Sequence, residues 1–367
     1  MKMQRLAIWT YGGIGAGLFS QGYPMMSKVL QGLSSTYYIT LFSFVSVATS
    51  YRLPGCEIVS PPLWLKPGML RWFYLILHFI WLHIKNGFKG LFAFWGYPSG
   101  FIVTCLGKIL GIPSMVNVLG AELTYLPEVN FGLLGNPLRR KMICWTLQKC
   151  NALITISAFQ AHLVKELGIN RKSHIIPWGA DPGMFPFEIK NWETLQVLHV
   201  ANLNPVKDQT TLLKTFALLR RHQEGVLRIV GADFLEGKIQ MLAKTLGIEE
   251  DVQFVGAVAY EQMQAHYQWA NMMLHTSLYE GQSMAVTEAL ASGLLVGGTS
   301  VGILNDLPAA CCIVTTPGEP EKLAELLMQR MPEAAFIARN AKSWSEQHNF
   351  DYTIREMKEV IQQTMNA

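Results

Sequence analysis

Acidic residues are scarce at the start of this chain. Residues 1–120 hold one acid, Glu57, against nine Lys or Arg, so this stretch carries +8 and the remainder −4 of a formal +4. Aspartate is rare throughout: six occur in 367 residues, and no two form an Asp-x-Asp triplet. A metal clamp built on such a triplet is therefore not expected. Cysteine is also sparse. Cys311 and Cys312 are adjacent and the other four lie scattered among apolar runs, which excludes a disulfide framework and fits buried thiols in a reducing cytosol. No Cys-x-x-Cys or His-x3-His spacing points to zinc. No secretory signal is expected, because Met1-Lys-Met-Gln-Arg5 runs straight into the strand-like Leu6-Ala-Ile-Trp9. Nucleic-acid motifs are missing and the pI of 8.6 is modest. The basic, aromatic first half suggests instead a membrane surface or a lipid-linked phosphate as its anionic partner.

Half of the residues are hydrophobic and only 15% are charged, enough for a large core and about two domains at this length. Strand-like segments at Arg5–Trp9, Tyr37–Phe42, Leu91–Phe94, Ser114–Val118 and Ala152–Ile156 alternate with helical ones at Phe19–Leu33, Gly68–Lys85, Ser99–Leu110, Leu138–Cys150 and Ala158–Leu167. After the turn-rich run Pro177–Pro186, strands at Gln196–Val200, Leu227–Val230, Val252–Val255, Met272–His275, Leu294–Val296 and Ile313–Val314 alternate with further helices. Such alternation predicts an α/β fold with two Rossmann-like domains, each a parallel sheet covered by helices on both faces. The boundary falls near residue 180, between domains 1–180 and 181–348.

A glycine loop, Gly12-Gly-Ile-Gly-Ala-Gly17, follows the first strand. It is no dinucleotide fingerprint. The Gly-x-Gly-x-x-Gly spacing is not met, and the acid due about 20 residues later is missing.

The most informative stretch is Tyr279-Glu-Gly-Gln-Ser-Met-Ala-Val-Thr-Glu-Ala-Leu-Ala-Ser-Gly293. Gly281 and Gln282 read as a tight turn, Ser283 as a helix N-cap and Gly293 as its stop. Glu280 then lies before a helix and Glu288 on it. A helix N-terminus suits a phosphate, and carboxylates on either side of the turn suit sugar hydroxyls, so the pattern fits a nucleotide-sugar.

This Glu-x7-Glu element, with Glu-Ala-Leu-Ala-x-Gly trailing it, resembles the donor-binding signature of family 4 retaining glycosyltransferases of the GT-B fold. The resemblance is strong from Gln196 to Asp306 and looser before Ala152. It implies two Rossmann-like domains facing a cleft, with a C-terminal helix (349–367) returning to the first, acceptor-side domain. Glu288 would bind the donor ribose and Glu280 the sugar, with Gly281, Gln282 and Ser283 at the phosphates. The family's basic pair maps onto Val200-Ala-Asn-Leu-Asn-Pro-Val-Lys-Asp208: Lys207 matches the lysine and Asn202 stands at the arginine position. A fixed ammonium there stabilises the departing diphosphate. Gly13 and Gly15 would let backbone approach the donor phosphate, Gly231 would end a strand at the cleft, and Val255 would sit by the base pocket. In Val116-Asn-Val-Leu-Gly-Ala-Glu122, Leu119 replaces the family's histidine while Gly120 and Glu122 match, so Glu122 would orient the acceptor.

The resemblance implies transfer of a hexose from a nucleoside-diphosphate sugar, UDP favoured over GDP, to a glycan or lipid-linked acceptor in cell-surface polysaccharide synthesis. No further cofactor and no metal are expected. A sugar-nucleotide epimerase or hydrolase on the same fold, or a non-catalytic binding subunit, are the alternatives. The aromatic segment Trp64–Phe101 leaves two readings. Its helix, with Arg71, His78 and Lys85 on one narrow face, is too short to span a bilayer. It is either a core helix with a basic stripe outward or a helix lying in a membrane interface, which would put the cytoplasmic protein at the inner face of the membrane.

Overall fold

The computed structural model describes residues 3–15 and 23–367. The expected helix at 19–33 falls partly outside these; its described part starts at Pro24, whose fixed φ suits a first helical turn.

Two parallel sheets carry the chain. The first contains β1 (Gln4–Thr10), β2 (Tyr37–Ser43), β3 (Cys56–Val59), β4 (Gly90–Phe94) and β5 (Ser114–Val118). A two-stranded hairpin, β6 (Tyr125–Leu126) and β7 (Phe131–Gly132), precedes the sheet's last strands, β8 (Ala152–Thr155) and β9 (His174–Ile175). The strand order is β3-β2-β1-β4-β5-β8-β9. One face is covered by α2 (Met69–Asn86), α3 (Phe101–Leu110), α4 (Pro137–Lys149) and α5 (Ala158–Glu166), which bury Phe79, Val103, Leu147 and Val164 against Trp9 and Phe42. The other is covered by α1 (Pro24–Ser34) and by the last helix of the chain, introduced below.

The second sheet orders its strands β12-β11-β10-β13-β14-β15. These are β10 (Leu195–Val200), β11 (Gly225–Val230), β12 (Val252–Gly256), β13 (Met272–His275), β14 (Leu295–Thr299) and β15 (Ile313–Thr315). The intervening helices are α6 (Gln209–Arg220), α7 (Lys238–Thr245), α8 (Met263–Trp269), α9 (Met284–Ala291) and α10 (Ile303–Asp306), followed by α11 (Pro320–Arg330) and α12 (Ala334–Gln347). Apolar residues on both sides of these strands make two further cores. Near-continuous apolar strands such as Met272-Met-Leu-His275 are what a sheet buried on both faces requires.

The last helix, α13 (Phe350–Asn366), packs Ile354, Met357, Val360 and Ile361 into the core of the first sheet. It also staples the connection between the sheets, since Thr353 Oγ1 donates to the Pro177 carbonyl at 2.8 Å and accepts from the Gly179 amide at 2.9 Å.

Seven elements are additional to those expected: β3, the hairpin β6 and β7, β9, α10, α11 and α12. Cys-Glu-Ile-Val at β3 is a half-buried edge strand with no period-two pattern, and β9 has only two residues. No helix among the described residues is long and apolar enough to cross a membrane.

Candidate active site

In each sheet the strand order reverses once, between β1 and β4 and between β10 and β13. Loops leaving the carboxyl ends of strands at such a switch point diverge and open a crevice. Because β10 and β13 are neighbours, the loop after β10 (with Asn202 and Lys207) and the loop after β13 (with Glu280) meet across 73 residues of sequence.

There Lys207 Nζ donates to Glu280 Oε1 in an ion pair. His275 Nε2 lies 3.0 Å from the same oxygen and Ser277 Oγ donates to it at 2.8 Å. Three partners hold Oε1, while Oε2 has none among the described residues. Burial pushes the Glu280 carboxyl up, but Lys207 and His275 outweigh it and hold the group well below the usual carboxylate range. The Nδ1 of His275 is buried without a partner among the described residues. Behind it, burial drives His199 down to about 3, so that ring is neutral.

Glu288 sits on α9 and is nearly buried. It accepts hydrogen bonds from Tyr267 Oη at 2.7 Å and Tyr260 Oη at 3.0 Å, one on each oxygen. Burial pushes its carboxyl up to about 7, only partly opposed by these two hydroxyls and Lys28. Each oxygen keeps a second lone-pair direction for a ligand hydroxyl. Beside it, Lys28 pairs with Asp181 at 2.7 Å, joining α1 to the connecting segment.

Ser283 does not cap α9 as expected. Its backbone is left-handed (φ 77°) and its side chain makes no cap bond. That leaves the first-turn N–H groups of α9, which orphan by geometry, to a ligand.

Several other expected donor residues have different tasks. The Gln282 amide is spent on the interdomain connection: Oε1 accepts from the Trp178 amide at 2.8 Å and Nε2 donates to its carbonyl at 2.6 Å. Gly281 is required by close approach, since a Cβ there would lie 2.4 Å from the Leu119 carbonyl oxygen. Asn202 lines the cleft, but its Oδ1 ties down the Ala232 amide at 3.0 Å. Gly231 serves that same crossing, because its Cβ would collide with the Ala201 carbonyl. Gly13 and Gly15 pack under Tyr23 and Tyr51, and neither they nor Val255, part-exposed on the edge strand β12, are among the described residues that line the cleft.

Glu122 is a correction. It is fully buried and accepts from the amides of Leu119 (2.9 Å), Gly120 (2.9 Å) and Gly96 (3.2 Å). It shapes the Leu119–Gly120 loop, with both carboxylate oxygens engaged by backbone amides. Burial raises its carboxyl against these amides.

The cleft between the sheets has a volume of about 500 Å³, within the range of small-molecule sites. Lys207, Glu280, Gly281, Gln282, Ser283 and Glu288 line one wall, and Tyr23, Trp95, Leu119 and Trp178 the other. Sequence reasoning missed Tyr260, Tyr267, His275 and Ser277. The tyrosines lie seven apart around the expected helix Glu261–Ala270, and His275 ends an expected strand, so their positions were readable although their partners were not. Among the described residues no cluster of three or more His, Cys, Asp or Glu could hold a metal.

Comparison with known proteins locates this geometry. Residues 185–344 match the family model described as glycosyl transferases group 1. A segment of 184 residues is 27% identical to the MMP alpha-(1->4)-mannosyltransferase of Mycolicibacterium hassiacum, covering 48% of this chain and 44% of that protein. The match thus spans less than half the length of this curated relative. Among solved structures, the sucrose-phosphate synthase of Thermosynechococcus elongatus superposes with a TM-score of 0.84 at 17% identity, covering 98% of both chains. HepE of Anabaena, solved with UDP and with UDP-glucose, superposes at 0.77 in the UDP complex, with 16% identity over 98% of this chain and 100% of that one. The chain has the GT-B fold, two parallel-sheet halves facing a cleft, and its C-terminal half matches the group 1 glycosyl transferases.

Proposed function

We propose that the chain is a retaining glycosyltransferase that moves a hexose from a nucleoside-diphosphate sugar to a glycan or lipid-linked acceptor. The observation that carries this reading is Glu280, clamped through one oxygen and open at the other, between Lys207 and the uncapped start of α9. The free oxygen accepts from a sugar hydroxyl. Lys207, whose other N–H bonds have no protein partner among the described residues, and the α9 amides take the diphosphate. Glu288 accepts from the ribose diol. The UDP and UDP-glucose bound by HepE favour a uridine donor.

In the step proposed, the bond from the sugar's anomeric carbon to the phosphate oxygen breaks, and its electron pair stays on the diphosphate. The acceptor oxygen bonds to that carbon on the same face, and its proton passes to the leaving phosphate oxygen. No protein base is needed, which suits a site where Leu119 faces the cleft. Charge develops on the diphosphate beside Lys207, where a fixed ammonium stabilises the transition state more than the ground state.

The test is a donor screen by thermal shift with UDP-, GDP- and ADP-sugars, followed by NMR of the product's anomeric configuration. An inverted product, or no donor binding, would sink the reading. Turnover of donor without any acceptor would favour an epimerase or hydrolase. Donor binding without transfer to any acceptor would favour a non-catalytic subunit, the alternative to which Leu119 and Asn202 lend support.

A further inference from the structure

The first half of the molecule carries a surface that the cleft does not use. On α2, an 18-residue helix about 27 Å long, Leu75, Phe79 and Leu82 are buried against the sheet. Leu70, Phe73, Leu77, Trp81 and Ile84, spaced by three and four, form a second apolar stripe on the opposite side and are 58–81% exposed. A continuous exposed stripe of this length marks an interaction site. The expected basic face is corrected by the same geometry. Arg71 is tied to the Leu65 and Phe44 carbonyls and His78 to the Tyr74 carbonyl, so neither projects freely.

We propose that this outer face of α2 is seated on an anionic lipid bilayer. Three observations select that occupant. First, the helix carries no acid, and none occurs between Glu57 and Glu122, while Lys66, Lys85 and Lys89 are exposed at its two ends. Second, exposed tryptophans stand near both ends: Trp64 just before the helix, and Trp81 under the ammonium of Lys85, which lies 5.3 Å from its ring centre. Such amphipathic rings prefer the headgroup level. Third, a second copy is a poor occupant, since two such faces would bring lysines together with no carboxylate to pair them. The helix is too short and too polar at its flanks to cross, so it lies in the interface plane. This surface is independent of the transfer reading, and either can fail without the other.

The full chain should be mixed with phosphatidylglycerol vesicles at low salt and floated on a density gradient. We expect co-flotation that drops at least tenfold with phosphatidylcholine vesicles or at high salt. The double variant Leu77→Gln, Trp81→Gln should lose at least tenfold in bound fraction. Its melting temperature should match wild type, because both side chains are outside the core. A wild type that stays at the bottom of the gradient overturns the proposal, as does a variant that floats equally well. Sedimentation of the lipid-free protein supplies the remaining arm: a dimer that the variant abolishes, without vesicle binding, assigns the face to a second copy and overturns the lipid reading.

Discussion

Glu280 and Glu288 are both buried carboxylates eight residues apart, yet their surroundings push them in opposite directions. Lys207 and His275 keep Glu280 ionised, whereas Glu288 meets only neutral hydroxyls and a more distant Lys28, and burial raises it to about 7. Ribose hydroxyls donate best to the ionised form. Nucleotide affinity should therefore rise with pH up to about 7, and calorimetry should find it flat in Glu288→Gln. Stability takes the reverse sign. A carboxyl raised above its unfolded value stabilises the fold below the ordinary carboxylate range, and loses that contribution as pH climbs to about 7. The melting temperature of wild type should fall relative to Glu288→Gln between pH 5 and pH 7 and run parallel above. At Glu280, removal of a charged hydrogen-bonding group costs about 1.5–3 kcal/mol. Glu280→Ala should thus lower kcat/KM roughly ten- to a hundredfold while nucleotide affinity by calorimetry stays near wild type. A variant that loses both equally would place Glu280 at the nucleotide instead.

At the scale of elements, the turn before α9 is where local preference and tertiary demand part. Gly293 stops the helix with φ 83°, as a C′ glycine does. Ser283, by type a good N-cap, is twisted into a left-handed conformation and caps nothing. Two residues earlier, Gly281 is pressed against the Leu119 carbonyl of the first sheet's loop, and Ser157 Oγ donates to the Gly281 carbonyl at 2.6 Å. A Cβ at Gly281 would meet the Gln160 side-chain amide at 2.7 Å and, closer still, the Leu119 backbone carbonyl at 2.4 Å, which has no rotamer to swing away. Gly281→Ala should destabilise the protein by about 1–3 kcal/mol, seen as a lower denaturant midpoint. An unchanged midpoint would mean that the two halves can separate at this contact without cost. The same element shows why a sequence reading misassigns Gln282: a polar side chain in a donor signature reads as a ligand, and only the approach of Trp178 shows its amide already spent.

Across the whole molecule, the two halves are latched around the cleft. Tyr279 Oη donates to the Gly120 carbonyl at 2.9 Å, and the Asp306 carboxylate accepts from the Phe159 amide at 2.8 Å and from that of Ala158, at the start of α5. Gln282→Ala releases the connecting segment without touching Lys207 or Glu288. It should lower kcat while nucleotide affinity holds, and equal losses in both would return Gln282 to the donor. In the proposed arrangement Lys207 and the α9 amides take the diphosphate without a metal, so transfer should survive EDTA. Activity silenced by EDTA and restored by manganese would refute that. The sequence by itself determined the alternation of strands and helices, hence two parallel sheets, and the grouping of Glu280, Ser283 and Glu288 on one turn and helix. These are local, because spacing along one segment fixes which face a side chain takes. Tertiary structure decided what lies far apart in the chain. The adjacency of β10 and β13 brought Lys207 to Glu280, and α8 with the turn before it brought Tyr267 and Tyr260 to Glu288. Packing on the sheet consumed Glu122 and Arg71 and turned an apolar stripe of α2 outward. Those outcomes depend on strand order and on which partners fill each hydrogen bond, and no periodicity within one segment encodes either.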